Sequence, residues 1–309
     1  MAGQAVALSG PIVLSEEVEQ ALAGDGSVVA LETSVIAQGL PPPRNVECIQ
    51  RMTSAVRASG AVPGWIGVVD GEVRVGLSES ELESFAEPAR AAKVARRDLP
   101  FALARGGLGA TTVSTTIWAA ARAGVPVGAT GGIGGVHRAT GDVSADLVEL
   151  SRTRVVLVCS GPKSIVDPIA TAERLEELGV ALVGYRCDRM PFFLALESDV
   201  ELDERVDDLV SAARLIHALW RLEDASAVVL CNPIPADRAM DAAAVADAVR
   251  ACEEAATRGR VRGKAVTPFL LSCLAERTGG ASLEANLALL ESNARLAGEI
   301  VVAAATTPA

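Results

Sequence analysis

Of the 28 basic residues in this chain, three are lysines: Lys93, Lys163 and Lys264. Arginine stays protonated and cannot form an imine, whereas a desolvated lysine can lose its proton and attack a carbonyl. In a chain so biased toward arginine, a lysine either has a task that arginine cannot perform or stands there by chance. Lys163 follows the apolar run VVLVC after a short turn. A lysine just past a buried strand is placed to be desolvated and to act as a Schiff-base amine. The alternative is a helix-start lysine facing water. Glu32 directly follows the run VVAL, where a strand end turns a loop carboxylate into a candidate functional one. Asp142 and Asp146 lie four apart in GDVSAD. They could share a helical face or flank a turn, and two such carboxylates with water and phosphate suit magnesium or manganese. Asp142 and Ser144 are also good helix N-caps.

Two glycine-rich stretches lie near cations. Lys93, Arg96 and Arg97 precede Gly106, Gly107 and Gly109, after which Thr111 and Thr112 open a helix. Backbone N–H groups at such a helix start suit a phosphate; a tight turn with solvated cations is the competing reading. The loop ATGGIGGVHR adds four glycines before His137 and Arg138, without Walker or GxGxxG spacing. Aromatic residues make up only 3% of the chain, which leaves little to stack a base on. Base recognition would lean on backbone amides and on Asn232, Asn286 or Asn293, which read equally as polar helix-face residues.

These residues need elements to position them. Residues 28–31, 65–70, 72–75, 126–130, 155–159, 181–185 and 227–231 are predicted strands, with a hairpin around Gly71. Residues 45–59, 78–86, 113–123, 171–178, 206–221, 241–258, 268–278 and 283–303 are predicted helices. Ser78 and Glu81 form a capping-box pattern. Short apolar strands alternating with helices indicate an α/β fold, a layered α/β/α arrangement with a largely parallel, mixed sheet. No linker or repeat divides the chain, so residues 1–309 read as a single domain with its core at about 13–303.

Composition excludes several classes. The 309 residues are 50% hydrophobic and 22% charged, which is globular. A net charge of −11 argues against a nucleic-acid surface. No apolar run approaches the ~18 residues that cross a bilayer, and the first basic residue is Arg44, so no secretory signal is expected. The expected location is the cytoplasm. Six cysteines without metal or redox spacing are expected as reduced, mostly buried thiols. Two histidines nearly exclude a histidine-built metal site.

Taken in order, VVALETSVIAQGLP, KVARRDLPF, GATTVSTT, ATGGIGGVHR, DVSADL, VCSGPKSI, NPIP, GKAVTPFLL and SLEANLALLESNA resemble the pseudouridine-5′-phosphate glycosidase family. The resemblance runs from about residue 13 to residue 303. It implies reversible cleavage of pseudouridine 5′-phosphate to uracil and ribose 5-phosphate, an α/β fold, a homotrimer and one divalent ion per subunit, manganese with magnesium as the alternative. It makes Lys163 the Schiff-base lysine, Glu32 the proton donor and Asp142 the metal ligand. Lys93 and the backbone around Val113 become substrate contacts, Ser144, Ala145 and Asp146 a substrate-binding segment, and Thr130, His137 and Asn286 further pocket positions. Lys264 is expected to be structural or on the surface.

The chemistry suits those residue types. A carbon–carbon glycosidic bond has no leaving oxygen to protonate, so the two-carboxylate glycosidase scheme does not apply. An imine at C1′ of an opened ribose supplies an electron sink instead. Two other classes stay open: a Schiff-base sugar-phosphate aldolase or lyase, and a non-catalytic sugar-phosphate-binding regulator. In each, the partner is a small molecule.

Overall fold

Period-two alternation in the strands decides the architecture, because it gives one sheet two apolar faces. The computed structural model describes residues 12–138 and 141–308. Its strands are β1 (Ile12–Leu14), β2 (Val28–Glu32), β3 (Val62–Val69), β4 (Glu72–Val75), β5 (Ala92–Val94), β6 (Leu108–Thr111), β7 (Val127–Ala129), β8 (Val156–Cys159), β9 (Ala181–Tyr185), β10 (Glu204–Val206) and β11 (Val228–Cys231). They join one sheet in the order β1-β4-β3-β2-β7-β8-β11-β9-β10, with β6 paired to β3 and β5. The run from β3 to β10 is parallel throughout. The β3–β4 hairpin and the β3–β6 pair are antiparallel and make the sheet mixed.

The helices are α1 (Glu16–Ala23), α2 (Arg44–Ala58), α3 (Glu79–Ala86), α4 (Leu99–Arg105), α5 (Val113–Ala123), α6 (Ala145–Leu150), α7 (Pro168–Glu177), α8 (Leu209–Trp220), α9 (Ala242–Arg258), α10 (Val266–Arg277) and α11 (Ala281–Thr306). Odd-position strand residues such as Val29, Leu31, Val127 and Ala129 pack with α2, α8 and α11 on one face. Their neighbours Val28, Ala30, Ile66 and Val68 pack with α1 and α5 on the other. That second face continues under Leu157, Cys159, Val229 and Cys231, covered by α5, α6 and α7. The expected layered α/β/α sheet with helices on both sides is therefore present. Among the described residues, no helix is long and apolar enough to cross a membrane.

Several local readings change. Residues 206–208 are not helical: Val206 ends the edge strand β10, and Asp208 caps α8 by accepting the Ser211 N–H at 2.7 Å. The expectation of six reduced thiols is wrong for two. Cys252 of α9 and Cys273 of α10 form a disulfide, while Cys48, Cys159, Cys187 and Cys231 are free. No local spacing announces this pair, because the packing of α9 on α10 creates it. The side chain of Lys264 lies outside the described residues.

Candidate active site

Parallel strands collect their carboxyl ends on one edge, and the loops leaving that edge carry the reactive groups. Register sets the neighbours: Leu31 of β2 pairs with Ala129 of β7, which pairs with Val158 of β8. The next residues along, Glu32 and Thr130, are therefore side by side. Glu32 is 4% exposed. Its Oε1 accepts a hydrogen bond from Thr130 Oγ1, and its Oε2 accepts one from Ser34 Oγ at 2.5 Å. Two hydroxyls thus fix a buried carboxylate in one orientation. Behind it, Thr33 and Thr111 both donate to the Ile66 carbonyl, at 2.8 and 2.6 Å, tying the end of β2 to β3 and β6.

Lys163 is held by two loops zipped together. Thr130 N–H donates to the Val158 carbonyl at 3.0 Å, Ser160 N–H to Gly131 at 2.9 Å, Ile133 N–H to Gly161 at 3.1 Å and Lys163 N–H to Ile133 at 3.0 Å. The turn requires glycine at 161: its φ is +71°, and a Cβ there would stand 2.0 Å from the Pro191 carbonyl oxygen. Buried Asn293 of α11 braces the same loops. Its Nδ2 donates to the Thr130 carbonyl at 2.9 Å and to Ser160 Oγ at 3.1 Å, while its Oδ1 accepts from Asn232 Nδ2 at 2.9 Å. Asn232 and Asn293 thus form a structural bridge from α11 to the strand-end loops.

One cleft brings together Glu32, Lys93, Thr130, Lys163 and Asn286. Lys93 arrives on β5, aligned with Ala110 of β6. The other predicted site residues do not line this cleft. Val113 is the buried first residue of α5. Ser144 caps α6 and accepts from Asp146 N–H at 3.2 Å, and Ala145 begins that helix. Asp146 is 5% exposed, and both its oxygens are engaged: Oδ1 accepts from Ser114 N–H and Oδ2 from Gly134 N–H, each at 3.0 Å. It therefore clamps the start of α5, where a carboxylate also suits the helix dipole, to the glycine loop. Asp142 precedes the cap, so the two aspartates do not share a helical face.

His137 is half-buried beside these groups. Burial pushes its imidazole below the ordinary value, the Asp142 carboxylate pulls it back up, and the nearby Lys93 and Lys163 add to the depression. The Gly106–Gly107 turn does not belong to the site. It meets Asp70 beyond the far end of the β3–β6 pair. Arg96 is likewise committed elsewhere: it stacks on Trp118 at 4.4 Å, with Arg122 at 4.7 Å from the same ring.

For a metal, no three His, Cys, Asp or Glu side chains converge among the described residues. Asp146 accepts from two backbone amides, and the exposed Asp142 would present one carboxylate to such an ion. One carboxylate completed by water and a substrate phosphate suits a hard, hydrated ion such as magnesium or manganese, and not a zinc cage.

The chain matches the family model described as "Indigoidine synthase A like protein" over residues 17–303. A pseudouridine-5′-phosphate glycosidase of Gemmatimonas aurantiaca is 50% identical over 285 residues, 92% of this chain and 93% of that one. The one from Caldanaerobacter subterraneus is 44% identical over 294 residues, 94% of this chain and 96% of that one. The chain belongs to the pseudouridine-5′-phosphate glycosidase family. Among solved structures, the prealnumycin C-glycosynthase AlnA in complex with ribulose 5-phosphate is similar with a TM-score of 0.87 and 41% identity, over 96% of this chain and 97% of that one. An indigoidine synthase A-like protein of Thermotoga maritima gives 0.86 and 38%, over 94% and 95%.

In this glycosidase-family enzyme, some of the cleft walls escaped the sequence reading. A π-helical turn, Val35–Gly39, follows the Glu32 segment and contributes Val35, Gln38 and Gly39. Asn45 secures it, with Nδ2 donating to the carbonyls of Ile36 at 3.2 Å and Ala86 at 2.8 Å. Phe193 fills the space that side chains at Gly131 and Gly132 would need, since their Cβ atoms would approach its ring to 3.2 and 2.7 Å. Thr267, Pro268 and Leu271 close another wall from α10. The string GKAVTPFLL was the available signal for this last group, but nothing in its spacing says that it faces a site.

Proposed function

We propose that the protein reversibly splits the C-glycosidic bond of pseudouridine 5′-phosphate, giving uracil and ribose 5-phosphate through a Lys163 imine. The observation that carries this reading is that Lys163 and the clamped Glu32 carboxylate line one cleft at the strand ends. Lys163 Nζ attacks C1′, and O4′ leaves as a hydroxyl, opening the ribose ring. Glu32 then delivers a proton to C5 of the base. The nitrogen lone pair forms the imine at C1′ as the C1′–C5 electrons stay with uracil. Water hydrolyses the imine, returning ribose 5-phosphate and the free amine.

The remaining residues serve this chemistry. Lys93 attracts the 5′-phosphate and so holds C1′ near the amine. Thr130 and Ser34 keep the Glu32 oxygens aimed. Asn286 completes the pocket wall, His137 stands beside it as a further titratable neighbour, and Asp146, on the helix that Ser144 caps and Ala145 begins, fixes the glycine loop and the start of α5 at Val113. A manganese or magnesium ion at Asp142 would neutralise phosphate charge and orient water when bound. The assembly proposed is a homotrimer.

Incubation with pseudouridine 5′-phosphate and manganese should release uracil. Borohydride should trap a ribose-phosphate adduct on Lys163. An adduct on Lys93 or Lys264 overturns the assignment, as does full turnover by Lys163→Arg. A regulator without chemistry would bind the nucleotide and release no uracil. Undiminished turnover in Glu32→Gln removes its role as the acid, and unchanged metal dependence in Asp142→Ala removes its role as ligand.

A further inference from the structure

Gln38 stands on the π-helical turn that leaves the Glu32 segment, and it lines the same cleft as Glu32 and Lys163. Its Nε2 donates to the Ala91 carbonyl at 3.0 Å. That contact settles which end of the amide is which, because a carbonyl oxygen can only accept. The other end, Oε1, is buried and has no hydrogen-bond partner among the described residues. Buried polar atoms are rarely left unpaired, and an acceptor held in a cleft without a donor is placed for a ligand N–H. A second amide oxygen, Oδ1 of the cleft residue Asn286, is also buried without a partner among the described residues, and Asn286 is 7% exposed.

We propose that Gln38 is a specificity-determining residue whose Oε1 accepts a hydrogen bond from a ring N–H of the nucleobase. The inference rests on the function proposed above and adds a reason for preferring its substrate. A uracil linked through C5 keeps two ring N–H donors, N1–H and N3–H. A uracil linked through N1, as in uridine 5′-phosphate, keeps only N3–H. A cleft with two acceptor oxygens lacking donors matches the first pattern. The Gln38 contact to Ala91 also links base recognition to the strand that carries Lys93, since β5 starts at the next residue.

The test is calorimetric binding of pseudouridine 5′-phosphate and its N1-methyl and N3-methyl forms to the full chain, wild type and Gln38→Met. At least one methyl should weaken binding to wild type by roughly tenfold or more, the cost of leaving a buried acceptor unpaired. In Gln38→Met that penalty should disappear for one of the two methyl positions. Equal affinity of wild type for all three nucleotides overturns the proposal without needing any variant to fold. Persistence of every methyl penalty in Gln38→Met also overturns it, because the penalty is then steric or belongs to another residue. So does a fall in ribose 5-phosphate affinity as large as that for the nucleotide, which would report a damaged cleft. Uracil release by wild type is read separately and tests the proposed function alone.

Discussion

Asp146 tests whether a buried carboxylate in the DVSADL segment acts on substrate or on the protein. Both its oxygens accept backbone N–H bonds at 3.0 Å, one from Ser114 at the start of α5 and one from Gly134 in the glycine loop. Asp146→Ala leaves both N–H groups buried without an acceptor. Each such loss costs about 1–3 kcal/mol, so the pair costs about 2–6 kcal/mol. Asp146→Asn keeps one acceptor and turns an NH₂ toward the other N–H, so it should cost about half as much. Urea unfolding gives the stability change, and uracil release by the folded protein gives the activity. The clamp predicts that stability and activity fall together, with Asn intermediate between Asp and Ala. A variant as stable as wild type but without turnover would refute the clamp and place Asp146 on the substrate.

The remaining expectations concern the supports of the site. Gly161→Ala should cost at least about 1–3 kcal/mol and lower turnover, because its φ of +71° and the Pro191 carbonyl leave no room for a methyl; unchanged urea midpoints and rates would contradict this. Cys252→Ser opens a cross-link between residues 21 apart, worth about 3 kcal/mol, and should lower the urea midpoint; two free thiols at these positions in the native protein would show that the link is absent. His137 is held below its ordinary value of 6.5, so the unfolded chain protonates first as the pH falls through that value, and stability present above it is lost below. His137→Gln should lose less stability than wild type between about pH 7 and pH 5, and identical acid profiles would deny His137 this role.

Much of the fold could be read because its strands are apolar runs bounded by turn residues. The Ser78–Glu81 capping box and the hairpin around Gly71 appear as the spacing predicts. Elements that escaped are those with too few residues for periodicity or those made by distant pairing. β5 is three residues, AKV, and exists because it pairs with β6. The six-residue α6 hides in DVSADL, which reads as a metal or cap motif until the Ser144 cap is seen. The π-helical turn has no residue signature in VIAQG and depends on Asn45 to satisfy its carbonyls. The strand-end logic put Glu32 and Lys163 on the edge where both line one cleft, because a residue following a buried parallel strand must emerge where the loops collect. Asp146 was harder to interpret, since its type and position are the same for a ligand as for a clamp.

What separates scaffold from site in this cleft is the state of its buried polar atoms. Asn293, Asn232, Asp146, Thr33 and Thr111 are all buried, and their partners in the chain hold strand ends and loops in place. Gln38 Oε1 and Asn286 Oδ1 are buried at the same edge without such partners. An unpaired buried acceptor costs about 1–3 kcal/mol. Bracing by Asn45 and Ala91 fixes the turn and amide that hold Gln38 Oε1 in this state, and a bound donor would recover the cost. The two kinds of amide look identical in sequence, as the helix α11 shows by carrying one of each. Asn293 turns toward the strand ends and is satisfied by them; Asn286, two turns earlier, lines the cleft, and its Oδ1 has no partner among the described residues.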